Sequence, residues 1–286
     1  MASLSGLVAY LRRKNRDRLT KRRERRRAKF RGSLAVLAIM KNEAMNIDEW
    51  VSHYLQVGAD RIVLIDNGST DDTLAKAQAW VEKGKVDLIS RHQRHRQTDH
   101  YWEAIRTYIL GKHDWLLIAD LDEFWFCPDG TTIPAKLAED QFLESDVIYA
   151  NWTMFGSSGL TEHPESIRAK LVHRSPGLSQ HKNTKYICRT SILGARANIG
   201  IHKVIGGDSS RTVSDNENFC LFHYPIQSLE FFQTVKMARG DVSSARSDNV
   251  RDMNYFKQYD APCTVEDRTL ANLLEQGRLG AIGKDA

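Results

Sequence analysis

Three carboxylates close an apolar run in HDWLLIADLDEFWF: Asp120, Asp122 and Glu123. Two aspartates flanking one residue at a strand end present hard oxygen donors within a few ångströms of each other. Left unpaired they repel, and one must take up a proton. A divalent cation such as Mg²⁺ or Mn²⁺ removes that conflict, because it accepts one or two carboxylates and completes its shell with water and substrate phosphate. The chemistry this triplet suggests is a metal holding a diphosphate, and a pair of capping or salt-bridged acids is the plainer alternative. Two other polar clusters follow apolar runs in the same way, Lys41-Asn42-Glu43 and Asp66-Asn67-Gly68.

The elements that must position these clusters read as alternating strands and helices. Residues 33–40 (SLAVLAIM) form a short apolar run suited to a strand buried on both faces. NIDEWVSHYLQVG follows as a helix with Ile47, Trp50, Val51, Tyr54 and Leu55 on one face and Gly58 as its stop. RIVLID is a second strand and NGSTDD a turn. Thr70 or Asp71 is placed to cap the next helix, and VDLIS is a third strand. A helix near DHYWEAIRTYILGK leads into DWLLIAD, the fourth strand. This order predicts an α/β fold with a mostly parallel sheet, in which ligands sit beyond the carboxyl ends of the strands. All three polar clusters fall at such ends. The second half is less regular and rich in Gly, Ser, His and aromatic residues, and it contains no internal repeat.

Composition narrows the classes. With 286 residues and 41% apolar content, the chain can build a sizeable core. No window reaches the roughly 18 uninterrupted apolar residues of a membrane span, and no signal peptide precedes the basic cluster. Cys127, Cys188, Cys220 and Cys263 lie far apart, a pattern of reduced thiols and a cytoplasmic location. In residues 1–31 thirteen Lys and Arg stand against Asp17 and Glu24, so this leader carries +11 while the net charge is +5 and the rest of the chain is −6. A basic leader on an acidic body fits docking to an anionic membrane surface, helped by Leu4, Leu7, Val8 and Leu11 at helical spacing, and it fits equally a solvated helix or disordered tail with no fixed partner. It does not fit a body built around nucleic acid.

The stretch AIMKNEAMNIDEWVSHYLQVGADRIVLIDNGSTDDT followed by DWLLIADLDEF resembles glycosyltransferase family 2 and, more closely, its offshoots that carry D-x-D-E-F and include the family 92-like enzymes. The likeness covers roughly residues 34–125 and runs more loosely through NWTMFGSSG, IHKV and HYPIQSLEFFQTVKMARG. It implies a GT-A (Rossmann-like) domain over residues 33–260, with a nucleotide-sugar half (33–126) and an acceptor half (127–260). Residues 1–32 are then the leader, and 261–286 a C-terminal helix and tail.

The activity implied is transfer of a sugar from a nucleotide diphosphate to an acceptor hydroxyl of a glycan or glycolipid, with inversion and with Mn²⁺ or Mg²⁺. Position by position, the resemblance puts Asn42 and Glu43 against the nucleoside and Asp66 against the base, with Asn67, Gly68 and Ser69 in the adjoining turn. Asp66 as acceptor of a pyrimidine N–H favours UDP. Asp120 and Asp122 match the metal-diphosphate motif, Asp122 as the direct ligand. His223 or His202 supplies a third ligand, which favours Mn²⁺. Arg91, Arg94 and Arg96, with Gln97, follow the third strand and suit a departing diphosphate. Lys236 and Arg239 at helical spacing suit phosphate as well. An inverting displacement needs a general base: Glu162 and Asp241 are the candidates, with Glu123, Asp208 and Asp215 behind them. Trp152 and Phe155 can stack on a sugar face, and the Gly-Ser stretch 156–159 reads as a mobile lid.

Three other readings compete. A haloacid-dehalogenase-type phosphatase wants a small residue where Phe124 stands and opens its fold with the motif, and here three strands come first. A nucleotidyltransferase on a similar sheet normally shows a Gly-rich loop after the first strand, whereas KNEAMN has no glycine. A non-enzymatic basic-tailed binder accounts for residues 1–31 but leaves the three polar strand ends without a role.

Overall fold

The computed structural model describes residue 14 and residues 32–93, 96–179, 184–239 and 251–279. The leader, Arg94 and Asp241 thus lie outside the described residues, Lys14 apart. The first half follows the βα order expected of it. β1 (Leu34–Met40) is buried along its whole length. Its side chains alternate between two cores. Leu34, Val36, Ala38 and Met40 face one, and Ala35, Leu37 and Ile39 face the other. α1 (Ile47–Gln56) covers the first core with Ile47, Trp50, Val51 and Tyr54. Gly58 follows with φ +100, a left-handed conformation that favours glycine.

β2 (Arg61–Asp66), α2 (Thr73–Glu82) and β3 (Val86–Ser90) come next. Asp71 Oδ1 accepts the Thr73 amide at 3.0 Å at the start of α2. α3 (Gln97–Ala104) continues through a π-helical turn, Ile105–Ile109, toward β4 (Trp115–Ile118). α3 and its π turn pack Tyr101, Ala104, Ile105 and Ile109 into the second core. β4, β1, β2 and β3 lie side by side, all parallel.

The second half corrects the expectation of a mostly parallel sheet. β5 (Glu123–Phe126), α4 (Ile133–Leu137), β6 (Val147–Phe155), α5 (Ile167–Lys170), β7 (His173–Leu178) and β8 (Thr184–Arg189) follow. β8 inserts antiparallel between β4 and β6 and continues the sheet with mixed polarity. β9 (Ala197–Ile199) and β10 (Val204–Gly206) form a separate hairpin. β11 (Thr212–Ser214) pairs with β6. β12 (Cys220–His223) lies antiparallel to β5 and parallel to β6. The last described elements are α6 (Leu229–Phe231), which runs through a π turn into Met237–Arg239, then α7 (Met253–Asp260), β13 (Val265–Glu266) and α8 (Thr269–Glu275). The architecture is α/β, with a central sheet flanked by helices and a less regular C-terminal region, a GT-A-like arrangement. No helix among the described residues is long and apolar enough to cross a membrane.

Candidate active site

The loops after β1 and β2 are laced together. Asn42, at φ +52, donates its amide to Ser69 Oγ (3.0 Å) and accepts the Thr70 amide on Oδ1 (2.8 Å). The Glu43 amide reaches Thr73 Oγ1 (2.7 Å), and its carboxylate accepts from Asn46 Nδ2 (2.8 Å). Asp66 is fully buried and accepts the amides of Gly68 (3.0 Å) and Ser69 (3.1 Å), closing its own turn. Asn67 Nδ2 donates to the carbonyls of Arg91 and Gln93 at the end of β3. Arg91 pairs with Glu103 and Arg96 with Asp99, both acids on α3. Gln97 is buried and donates to Tyr101 Oη (2.8 Å). The turns after β1 and β2 and the end of β3 therefore meet at one rim, held by bonds within and between these loops.

The rim after β4 is built differently. β4 stops at Ile118, and a short turn carries Asp120 and Asp122 before β5 begins at Glu123. Polar tips on the apolar face of α1 hold this turn: Trp50 Nε1 donates to the Asp120 carbonyl (2.8 Å) and Tyr54 Oη to the Glu123 carbonyl (3.0 Å). Glu123 Oε2 accepts the Asp120 amide (2.9 Å). The third acid of the triplet thus acts as a brace inside the turn. It is fully buried, and burial together with Asp120 and Asp122 pushes its carboxyl well above the usual range, against the pull of Lys185.

Each aspartate of the pair meets an ammonium delivered by a distant element. β8 places Lys185, itself fully buried, with Nζ 2.9 Å from Asp120 Oδ2 and 3.5 Å from Glu123 Oε2. Burial alone would lower the Lys185 pKa, but Asp120 and then Glu123 raise it, so the side chain stays charged. The π turn after α6 places Lys236 Nζ 2.5 Å from Asp122 Oδ2. Asp122 Oδ1 faces His223 Nε2 at 3.5 Å, because the β5–β12 register sets His223 opposite Glu123. Burial would raise the Asp122 pKa, but Lys236 and His223 together hold it well below the usual carboxylate range.

Trp152 on β6 joins this group. Its ring lies 4.3 Å from that of His223 and 5.4 Å from that of His202. His202 Nδ1 approaches the Thr184 carbonyl (3.3 Å) at the start of β8, and burial lowers its pKa. The structure thus gathers Asp120, Asp122, His202, His223, Lys236 and Trp152 around one strand end.

Of the described base candidates, Glu162, Asp208 and Asp215 are not gathered there. Glu162 is exposed on a loop whose neighbouring carbonyls, Leu160 and Thr161, accept amides of Leu229 and Glu230. Asp208 and Asp215 accept amides within their own turns. Glu123 is too deeply buried to meet an acceptor. The Gly-Ser stretch is braced, not free as a lid would be. The Ser157 amide donates to Asp260 Oδ1 (2.7 Å), and Ser158 Oγ accepts the Val172 (2.8 Å) and His173 (3.0 Å) amides. Lys185 is the site residue that sequence reasoning missed. Its signal was a lone lysine in TKYICR, where Tyr186, Ile187 and Cys188 are all buried.

Comparison with known proteins bears on the family of the chain. The model of glycosyltransferase family 92 matches residues 35–260. A family 92 protein of Ricinus communis is 23% identical over 208 residues, covering 70% of this chain and 36% of its own length. One of Arabidopsis thaliana is 22% identical over 173 residues, with 52% and 28% covered. This chain therefore spans about a third of the curated relatives it matches. Among solved structures, a mannosyltransferase of Pyrobaculum calidifontis in complex with GDP-Man and Mn²⁺ is similar with a TM-score of 0.40 and 16% identity, covering 67% of this chain and 56% of that one. The match falls on the family 92 side of the resemblance read from the sequence, and with 226 of 286 residues inside it this chain belongs to glycosyltransferase family 92.

Proposed function

We propose that this chain transfers a sugar from a nucleoside diphosphate, UDP by preference, to a hydroxyl of a glycan or glycolipid, with inversion and with a bound Mn²⁺ or Mg²⁺. One observation carries the reading: Asp122, His223 and Lys236 meet beyond β4, where such sheets bind ligands. Asp122 Oδ1 and His223 Nε2, 3.5 Å apart, fit two donors to one cation. Among the described residues no group of three or more His, Cys, Asp or Glu is arranged to hold a metal. Two protein donors suit a metal whose shell is finished by diphosphate and water, and an imidazole among them suits Mn²⁺. Once bound, such an ion would neutralise charge on the diphosphate.

The chain's own groups supply the rest. Lys236 offers a buried ammonium to a leaving group that gains negative charge. Asp120, held by Lys185, and the brace of Glu123 keep the turn in shape. Trp152 offers an aromatic face to the sugar. Asn42, Glu43, Asp66, Asn67 and Gly68 form the nucleoside rim, with Arg94 and Gln97 toward the phosphates. Asp66 is fully buried, so its turn must open for it to meet a pyrimidine N–H. Glu162 and Asp241 stay the proposed bases. Docking of residues 1–31 to an anionic membrane face from the cytoplasm is supported by their composition, and a place in surface polysaccharide or glycolipid synthesis by the class.

The test is release of UDP from a panel of UDP-sugars with acceptor glycans, with Mn²⁺ present and chelated, followed by NMR of the anomeric configuration in the product. Metal-dependent release with an inverted linkage supports the reading. Release that chelation leaves unchanged overturns metal dependence, a retained configuration overturns inversion, and release from GDP-sugars alone overturns the role of Asp66.

A further inference from the structure

Both aspartates of the D-x-D turn already have a resident cation. Lys236 Nζ sits 2.5 Å from Asp122 Oδ2, and Lys185 Nζ sits 2.9 Å from Asp120 Oδ2. Neither lysine is a solvated surface group: Lys185 is 0% and Lys236 2% exposed. Lys236 is fixed from several sides. Ser228 Oγ accepts the Phe231 amide (3.2 Å) at the helix start, and Phe231 and Phe232 are fully buried. A π turn over Phe232–Lys236 brings the lysine round to the core side, a distortion that often marks functional positions. Its Nζ also lies 5.8 Å from the centre of the Phe231 ring. Leaving this place would require the ammonium to shed a buried carboxylate, which is costly.

We infer that Lys236 makes loading of the site ordered: a divalent cation enters together with a nucleoside diphosphate and is refused when it comes alone. This rests on the donor site proposed above. The reasoning is charge balance at one carboxylate. Asp122 is neutralised by Lys236, so a lone divalent cation on Oδ1 would face an ammonium across the same carboxylate with no anion between them. At such spacing in a partly buried site the repulsion is large. A diphosphate reverses the balance. Esterified to the sugar it carries two negative charges, which match the divalent ion and leave the Asp122–Lys236 pair intact. When the bond to the sugar breaks, the diphosphate gains one further negative charge, and Lys236 is the nearest fixed cation to the metal carboxylate. Lys236 is thus a specificity-determining residue for the metal–diphosphate unit.

The test is Mn²⁺ binding to the full chain by electron paramagnetic resonance, without nucleotide and then with UDP, for wild type, Lys236→Met and Lys236→Arg. Wild type should bind Mn²⁺ weakly alone and at least about tenfold more tightly with UDP. Lys236→Met should bind lone Mn²⁺ about tenfold more tightly than wild type, and UDP with Mn²⁺ about tenfold more weakly. Lys236→Arg should keep the wild-type order. A merely structural lysine would weaken both in the Met variant, and that result overturns the inference. So does wild type binding Mn²⁺ equally well with and without UDP, a comparison that needs no variant to fold. If UDP binds to no form, the donor reading fails, while the lone-Mn²⁺ comparison of wild type with Lys236→Met still decides the role of the lysine.

Discussion

The rim after β2 and the rim after β4 both end in aspartates, yet they are held in opposite ways. Asp66 bonds amides two and three residues ahead, so its turn is closed by its own backbone. Asp120 and Asp122 bond lysines 65 and 114 residues away. The first arrangement makes a rigid wall, because its bonds run within one short stretch of backbone. The second makes a charged centre, because each carboxylate depends on a partner that a different element must deliver. Buried pairs of that kind are weak evidence for stability and better evidence for function.

The contrast breaks most visibly at Lys185. Lys185→Met keeps the volume of a fully buried side chain but strips Asp120 of its cation. Breaking a buried pair costs about 3–5 kcal/mol, and the partial exposure of Asp120 (35%) puts the expected loss near or below the lower end of that range. Urea denaturation measures it, and Asp120→Asn in the same chain should recover part of the loss. An undiminished midpoint in Lys185→Met would mean that this rim is no more dependent on distant partners than the first.

A smaller effect is expected at the other rim. Asp66→Asn keeps an acceptor for the turn but loses its charge, so stability should fall by about 1–2 kcal/mol. Its effect on Mn²⁺ affinity should be slight, and preference for UDP over GDP should narrow, both readable by calorimetry. A loss of metal binding as large as that of Asp122→Asn would show that the two rims do not act separately.

The smallest effect is one of pH, and it sharpens the contrast inside the second rim itself. The Asp122 pKa is held well below 3.8, so the stability it contributes is present above that value and is lost as pH falls through the folded pKa. Glu123 is pushed the other way, well above 4.5, so the folded state gains nothing from it below that value and loses stability as pH rises toward its folded pKa. Glu123→Gln should therefore flatten the decline of stability on the alkaline side of pH 4.5. Thermal melts across pH 4 to 8 give the answer, and an unchanged slope would mean Glu123 is ionised in its brace.

These two rims also explain what could be read from the residues alone. The apolar run of β1, the Trp50–Tyr54 face of α1 and the Gly58 stop are local patterns, and each appears where its spacing predicts. The meeting of Asp122 and His223 is in line with what residue type, setting and, for His223, the family resemblance suggested. Lys185 was not legible, because nothing within TKYICR shows that β8 runs antiparallel beside β4 and carries its lysine to Asp120. The mixed polarity of the sheet was hidden for the same reason: strand direction in the second half is set by long-range pairing, not by periodicity. The brace on the Gly-Ser stretch comes from Asp260, 103 residues beyond Ser157, a contact no local pattern announces.

The most direct measurement is calorimetric binding of UDP, with and without Mn²⁺, to wild type and Asp122→Asn. Wild type should bind UDP in a metal-dependent way, and the substitution should weaken that binding by about 10–100-fold. If Asp122→Asn binds UDP with Mn²⁺ as wild type does, the D-x-D turn is a structural ion-pair network, and the donor site lies elsewhere.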